Sequence, residues 1–256
     1  MIRNKIEEWL SKKYYCSIDE LNGKETVYSI HTNINQPYIK IMAYRNCIVV
    51  CTSEDLHEKA QELLRNKNRD EIFEFPFVYG QTIHYVPSSE YTNHIRSVAL
   101  SVGAASNNES LLSDYGYHFL FDQEILSLNG LTGFENSLAL DEKGNTPTKA
   151  IYVARDHEEM IGIAGASLTS VDGVYEVGVD VVEKYRHAGL ATCLVSELTR
   201  ELLARNIVPF YSASVTNIAS QMVANRCRYL PMWVDTFGTT LDGSSVYNEI
   251  VSKWLL

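Results

Sequence analysis

One short stretch of the sequence could bind an anion. Residues Arg186 to Ala191 lie between a valine-rich strand pattern and a long helix pattern. The first N–H groups of a helix have no acceptor inside the helix and lie at the positive end of its dipole, so a phosphate placed there is stabilised. Gly189 allows close approach of the backbone, and Arg186 adds a cationic donor suited to phosphate oxygens. The stretch therefore predicts a pyrophosphate-binding loop.

Other chemical motifs are absent from the sequence. Neither GxxxxGK[ST] nor GxGxxG occurs, so the common nucleotide fingerprints do not apply. The seven histidines show no HExxH or other close ligand spacing, and we predict no metal site. No GxSxG motif surrounds a serine, which argues against a hydrolase.

The elements around the loop follow in a regular order. Three strand patterns with short connections predict an antiparallel meander. A helix pattern with leucines on one face comes next, and the strand after it must run parallel to the strand before it. These elements are Ala150 to Arg155, Ile161 to Leu168, Tyr175 to Val182, Leu190 to Leu203 and Val208 to Val215. A further helix from Asn217 to about Cys227, and strands at 233–237 and 246–251, complete the prediction.

The first part of the chain has the pattern of a small α+β unit. It begins with an amphipathic helix and contains a second helix from about Leu56 to Arg65. Strands are predicted at 25–31, 38–44, 47–51 and 82–86, with Arg45-Asn46 as a hairpin turn and a β-rich stretch at 71–80. From Ser110 to Leu128 we predict short helical or irregular segments.

The run from Val179 to Ala191 resembles the signature of the GCN5-related N-acetyltransferase (GNAT) family. The family pattern is Gln/Arg-x-x-Gly-x-Gly/Ala after a valine-rich strand, and Arg186, Gly189 and Ala191 fill its positions. The resemblance covers roughly residues 150–256. The arrangement of a large N-terminal extension before this region resembles that of a bacterial subgroup of the family, which is similar to antibiotic self-resistance acetylases.

This resemblance implies a fold and a cofactor. The expected fold class is α+β: a mixed, mostly antiparallel GNAT-like sheet with splayed parallel central strands, flanked by helices. We expect an N-terminal α+β domain over 1–110 and an acetyl-CoA-binding catalytic domain over 111–256. Acetyl-CoA would be the co-substrate, with its pantetheine arm between the splayed strands and no metal required.

The resemblance also implies which residues bind the cofactor. Val179 and Val181 would present backbone groups, and one N–H there would polarise the thioester carbonyl. Asn217 and Ser220 would contact the arm from the other side. The loop would hold the pyrophosphate through Arg186, His187, Ala188, Gly189, Leu190 and Ala191. For His187, an exposed loop histidine without a ligand is the alternative.

The implied activity is transfer of an acetyl group to a primary amine by direct attack, the acceptor being a small molecule, antibiotic-like in character, or a peptide. A base must deprotonate the amine, and Glu176 is the first candidate; the alternative is a solvated or salt-bridged strand carboxylate. Asp180 is the second candidate. The usual acid tyrosine is replaced by Ala224, so the general acid is unassigned. A non-catalytic acyl-CoA-binding or sensing protein, or a ligand-free interaction domain, therefore remain alternatives.

Composition limits the partners. The formal net charge of −10 argues against nucleic-acid binding and favours a cationic acceptor or simply a solubilising surface. No apolar run reaches the length of about 18 residues that a membrane span needs. The five cysteines form no CxxC pair, which favours a reducing compartment and hence the cytoplasm. A homodimer is left open.

Overall fold

A computed structural model describes residues 2–89, 115–141 and 143–238 of the chain. A mixed sheet organises this part of the molecule. Its strands are β1 Thr26–Ile30, β2 Ile39–Tyr44, β3 Cys47–Thr52, β4 Thr82–Pro87, β5 Gly116–Phe121, β6 Thr148–Asp156, β7 Glu159–Leu168, β8 Val174–Val181, β9 Val208–Ser214 and β10 Tyr229–Asp235. The helices are α1 Ile2–Lys13, α2 Ile18–Leu21, α3 Glu54–Leu64, α4 Arg69–Phe73, α5 Glu135–Leu138, α6 Leu190–Ala204 and α7 Ile218–Arg226.

The described strands form one sheet in the order β1-β3-β2-β10-β4-β9-β8-β7-β6-β5. The pairs β1/β3 and β8/β9 are parallel, and the other pairs are antiparallel. The predicted α+β class with a mostly antiparallel sheet is confirmed. Strand β4 comes from the first part of the chain but lies between β9 and β10, so both parts share the sheet. The expected boundary at residue 110 and the strand at 246–251 lie outside the described residues.

Helix α6 forms as predicted, because its apolar residues recur on one face. That face covers the meander β6-β7-β8. Leu190, Leu194, Leu198 and Leu202 are all at most 2% exposed. The helix can approach β7 closely because position 162 is glycine: a Cβ there would lie 2.8 Å from Leu194 Cδ1. The opposite face of the sheet is covered by α1, whose Trp9 packs against Phe210 of β9.

Two local predictions are wrong. The stretch 71–80, predicted as β-rich, begins inside α4, because a capping box nucleates a helix there: Glu71 N donates to Asn68 Oδ1 (3.0 Å) and Asn68 N donates to Glu71 Oε2 (2.7 Å). Phe73, Phe75 and Phe77 pack against the α3 side of the sheet. Residues 116–121, predicted as helical or irregular, form β5, because their backbone pairs with β6.

Four of the five cysteines are buried, as packed hydrophobic residues are, and Cys193 is half-buried. All five are free, and Cys47 and Cys51, predicted to be packed, are 0% exposed. Burial raises the pKa of Cys16 and Cys227 to about 12. Within the described ranges, no helix is long and apolar enough to cross a membrane. The same part of the chain contains no cluster of three or more His, Cys, Asp or Glu side chains able to hold a metal ion.

Candidate active site

The parallel strands β8 and β9 separate partway along their length. Their pairing runs from Val174↔Val208 to Val177↔Tyr211 and stops there. Strand β8 continues to Val181 while paired with β7 on its other edge, and β9 continues to Ser214 while paired with β4. The inner edges therefore diverge, and in the described structure no strand lies between them. Such an opening exposes backbone groups that an extended, amide-rich ligand can pair with.

Val179 and Val181 lie on β8 beyond the last residue paired with β9, and both are half-buried. They share the sheet face of Val177, against which α6 packs. Asn217 and Ser220 lie across the opening, at the start of α7. Asn217 Oδ1 accepts a hydrogen bond from Ser220 N at 3.1 Å, so this asparagine caps the helix. The structure thus places the predicted strand residues and cap residues on either side of the split.

The predicted phosphate loop connects β8 to α6. Gly189 is the N-cap of α6 with φ +85°, a conformation that strains any residue with a Cβ. A Cβ at Gly189 would meet nothing within 4 Å, so the glycine is required by its backbone conformation and not by lack of space. His187 also has a positive φ of 66°, and the loop from Arg186 to Gly189 is exposed.

The N–H groups of this loop are available to a ligand. The first helical bond of α6 runs from Cys193 N to Gly189 O at 3.1 Å. The N–H groups of residues 187–192 have no backbone acceptor in the described part of the chain. Leu190 is buried beneath the loop, and Ala191 stands in the first turn. An exposed helix N-terminus with a glycine cap and a nearby arginine fits a pyrophosphate.

Three side chains hold the loop on the sheet. Arg186 Nε donates to Val181 O at 3.0 Å. Tyr185 Oη donates to Asp156 Oδ2 at 2.7 Å, and Lys184 Nζ donates to Glu159 Oε2 at 2.8 Å. These contacts fix the loop to the end of β8 and to the β6–β7 turn, so its N–H groups are positioned before a ligand binds.

Glu176 is exposed on β8, on the sheet face opposite Val177. Its Oε1 accepts a hydrogen bond from Ser212 Oγ of β9 at 2.6 Å. Ser212 Oγ also lies 2.8 Å from Nδ1 of His84 on β4. A solvated or salt-bridged carboxylate was the alternative to the base for Glu176. Among the described residues Glu176 forms no ion pair, and its hydrogen-bond partner is the hydroxyl of Ser212.

Behind His84 lies the buried carboxylate of Asp235 on β10. His84 Nε2 is 2.9 Å from Asp235 Oδ1, although its N–H does not point directly at that oxygen. Tyr14 Oη donates to Asp235 Oδ2 at 2.5 Å, and Lys40 Nζ lies 3.1 Å from it. Burial alone would raise the pKa of Asp235, but His84, Lys40 and Lys13 outweigh it and hold that pKa well below its usual range.

Asp180, the second candidate base, is engaged elsewhere. Its carboxylate accepts hydrogen bonds from Asn136 Nδ2 (2.6 Å), Ser137 N (2.8 Å) and Ser137 Oγ (2.8 Å). Both carboxylate oxygens are therefore occupied by donors from α5. Asp180 anchors that helix to the sheet.

The position of the missing acid tyrosine is Ala224, which is 0% exposed. Tyr229 does not replace it, because its hydroxyl is buried against Thr199 Oγ1 at 2.6 Å. Tyr211 lies at the last β8–β9 pair, and the Ser220 side chain of α7 influences its hydroxyl. Burial raises the pKa of Tyr211, so it carries a proton at neutral pH. Sequence reasoning missed Tyr211, because it lies on the strand and not at the helix position of the family pattern.

Comparison with known proteins agrees with this geometry. Residues 152–230, from β6 into β10, match the profile of the family described as GNAT acetyltransferase. This part of the chain is a GNAT acetyltransferase domain, as the loop signature predicted. No curated protein sequence matches the chain.

Solved structures similar to the chain include a GNAT-family protein from Novosphingobium aromaticivorans, with 15% identity, TM-score 0.43, and coverage of 62% of this chain and 64% of that one. The alignment thus spans less than two thirds of that protein. A GCN5-related N-acetyltransferase-like protein from Streptococcus suis has 13% identity and TM-score 0.44, covering 79% of this chain and 84% of its own. A Bacillus subtilis acetyltransferase in complex with CoA has 12% identity and TM-score 0.35, covering 47% and 97%.

Proposed function

We propose that this chain is an N-acetyltransferase that moves an acetyl group from acetyl-CoA to a primary amine of a small molecule or peptide. The observation that carries the proposal is the β8–β9 split leading into the exposed N-terminus of α6. The β8–β9 split accepts an extended amide chain, and the N-terminus of α6 accepts a pyrophosphate attached to that chain. A single ligand with both parts is coenzyme A.

In this proposal the loop binds the phosphates through the N–H groups of residues 187–192, with Arg186 as the charged donor. Val179 and Val181 offer backbone groups from β8 to the pantetheine arm. Asn217 and Ser220 contact the arm from the α7 side. Acetyl-CoA supplies an activated acyl group on a thiol leaving group.

Glu176 is the base in this proposal. Its carboxylate is exposed beside the opening, where an incoming amine can reach it, and Ser212 fixes one of its oxygens. Removing a proton from the ammonium leaves the neutral amine that attacks directly. The net charge of −10 favours a cationic acceptor over an anionic one. Tyr211, protonated and placed at the last pair before the split, is the proton donor we assign to the departing thiolate.

One observation favours a second candidate function. Ala224 is fully buried where related enzymes carry a tyrosine, so the chain could bind acyl-CoA as a sensor without transferring the acyl group. We propose the cytoplasm for either function, because all five thiols are free.

Two measurements on the full chain test the proposal. Calorimetric titration with CoA should show binding in the wild type and weaker binding in Arg186→Gln. Absence of binding at millimolar CoA would contradict both candidate functions. Thiol release from acetyl-CoA over a panel of primary amines then separates enzyme from sensor.

The base assignment needs its own pair of variants. Glu176→Gln should lower kcat/KM by about 10²-fold or more while leaving CoA binding intact. Glu158→Gln, an exposed carboxylate in the β6–β7 turn, is the matched control and should behave as the wild type. If both variants turned over equally, Glu176 would not be the base.

A further inference from the structure

Four polar side chains from four different strands form a continuous chain of contacts. Glu176 Oε1 and Ser212 Oγ are 2.6 Å apart, Ser212 Oγ and His84 Nδ1 are 2.8 Å apart, and His84 Nε2 and Asp235 Oδ1 are 2.9 Å apart. One end, Glu176, is exposed at the opening. The other end, Asp235, is 2% exposed, and His84 is 4% exposed. This series of contacts therefore leads from the acceptor side of the sheet into the core.

The donors and acceptors in this series determine how many protons the four side chains can share. Asp235 is ionised and accepts only, so the His84 nitrogen beside it, Nε2, carries a proton. Ser212 Oγ then lies between a carboxylate oxygen and Nδ1, but the hydroxyl has one proton to donate. With Glu176 ionised and His84 neutral, one of the two short contacts would join two acceptors. One additional proton removes this conflict.

That proton has two positions. It can sit on His84 Nδ1, which then donates to Ser212 while Ser212 donates to Glu176. It can equally sit on Glu176, which then donates to Ser212 while Ser212 donates to Nδ1. The two arrangements differ only by moving one proton from each donor to its acceptor, and the net charge is unchanged. The Ser212 hydroxyl is the link in both.

We propose that Ser212 and His84 form a proton relay that stores, beside Asp235, the proton that Glu176 takes from the acceptor amine. The N–H bond of the ammonium breaks and the proton bonds to the Glu176 carboxylate. Oε1 then gives a proton to Ser212 Oγ as Ser212 gives its own to His84 Nδ1. The electron pair stays on the amine nitrogen, which becomes the nucleophile. This inference rests on the proposed function.

The relay changes the strength of the base. An ordinary glutamate has a pKa of about 4.3 and an imidazole about 6.5, and general bases work best when their pKa lies near the working pH. By handing its proton to His84, Glu176 shares its role as proton acceptor with an imidazole, a group of higher intrinsic basicity. Ser212 and His84 are positioning residues here, because only Glu176 faces the acceptor.

The groups around His84 support proton storage. In the described structure the charged and titratable groups facing it are Glu176 of β8, Asp235 of β10, Lys40 of β2, and Lys13 and Tyr14 of α1. Asp235 makes the direct contact through Oδ1, whereas the two lysines lie near its other oxygen, Oδ2. The ring is stacked on Trp233, with centroids 4.5 Å apart and planes at 5°, which limits its rotation out of that plane.

The relay can be tested without any acceptor by following the imidazole nitrogens of His84 by NMR in the full chain. The signals are assigned through the ring's contact with Trp233. Glu176→Gln should lower the titration midpoint of His84 by about one pH unit, because a carboxylate that stabilises the imidazolium is lost. In the Ser212→Ala background the same change should move it by less than half as much. An equal shift in both backgrounds, or none in either, would overturn the relay.

Kinetics supply the second arm. In the wild type the acidic limb of kcat/KM against pH should have a midpoint near the imidazole range, and Ser212→Ala should move it toward the carboxylate range, a fall of about two pH units. Ser167→Ala is the matched control: Ser167 lies opposite Glu176 on β7 but hydrogen-bonds Thr148. If the acidic limb of an active Ser212→Ala enzyme kept its midpoint, the relay would be refuted and the proposed function would stand. Coupled His84 titration without acetyl transfer to any amine refutes the proposed function alone.

Discussion

Gly165 on β7 and Gly178 on β8 lie directly opposite each other, and the backbone of α5 rests on both. A Cβ at Gly165 would lie 1.8 Å from Ser137 O, and one at Gly178 would lie 2.0 Å from Asn136 O. Asp180, two residues along β8, accepts three hydrogen bonds from the same turn of α5. The paired glycines therefore let α5 sit flush on the sheet, beside Glu176 and on the same face.

Gly178→Ala should destabilise the protein by about 1–3 kcal/mol, because its methyl group meets a backbone carbonyl that cannot rotate away. Urea unfolding measures the change. Gly116→Ala is the matched strand control: the nearest atom to its Cβ would be 3.9 Å away, so its stability should stay within about 0.5 kcal/mol of the wild type. Equal effects at the two positions would show that α5 is not held in this way.

Gly189→Ala should weaken CoA binding by about tenfold, or 1.4 kcal/mol, because alanine resists the φ of +85° that aims the loop N–H groups. Calorimetry measures the affinity. Gly130 offers a control with the same strain, since its φ is +86° and its Cβ would also meet nothing within 4 Å. Gly130→Ala should lose comparable stability and keep its CoA affinity. Parallel losses of affinity would assign the effect to general unfolding.

The sequence predicted the elements around the loop well because each has a strong local period. The alternation in β8, the leucine face of α6 and the cap at Asn217 are all encoded within a few residues. The phosphate-binding role of the loop was likewise predicted from a few neighbouring residues. Where two local signals competed, as at 71–80, the capping box of Asn68 and Glu71 prevailed over the β-forming residues behind it.

The relay could not be predicted in this way. His84 and Ser212 are 128 residues apart in sequence, and they meet because β4 inserts between β9 and β10. No local pattern states which strand edges pair across such a distance. In the sequence, Asp235 likewise has the pattern of a polar residue at the end of a strand. Only the fold brings Tyr14, Lys40 and His84 into contact with it.

Tyr211→Phe should lower kcat by about 10²-fold at neutral pH, the lower end of the range for general acid catalysis, because a thiolate leaves without full protonation. CoA affinity should be unchanged, since the ring is kept. Thiol-release kinetics measure the effect. Tyr229→Phe is the control, because that hydroxyl is buried against Thr199 and away from the split. Wild-type turnover in Tyr211→Phe would remove this residue from the mechanism.

Asp235 should make the native state sensitive to acid. Its folded pKa is depressed, so its stabilisation is fully present above the unfolded pKa of about 3.9 and is lost progressively as the pH falls below that value toward the folded pKa. Asp235→Asn should cost about 3–5 kcal/mol at pH 7, because it leaves Lys40 without its counter-charge and His84 without its carboxylate contact in the core. It should also flatten the fall in stability below about pH 4. Urea unfolding across this pH range measures both effects. Asp122→Asn, which breaks the exposed ion pair with Lys149, should cost at most about 1 kcal/mol. An acid profile of Asp235→Asn as steep as the wild type's would show that other carboxylates set the acid limit.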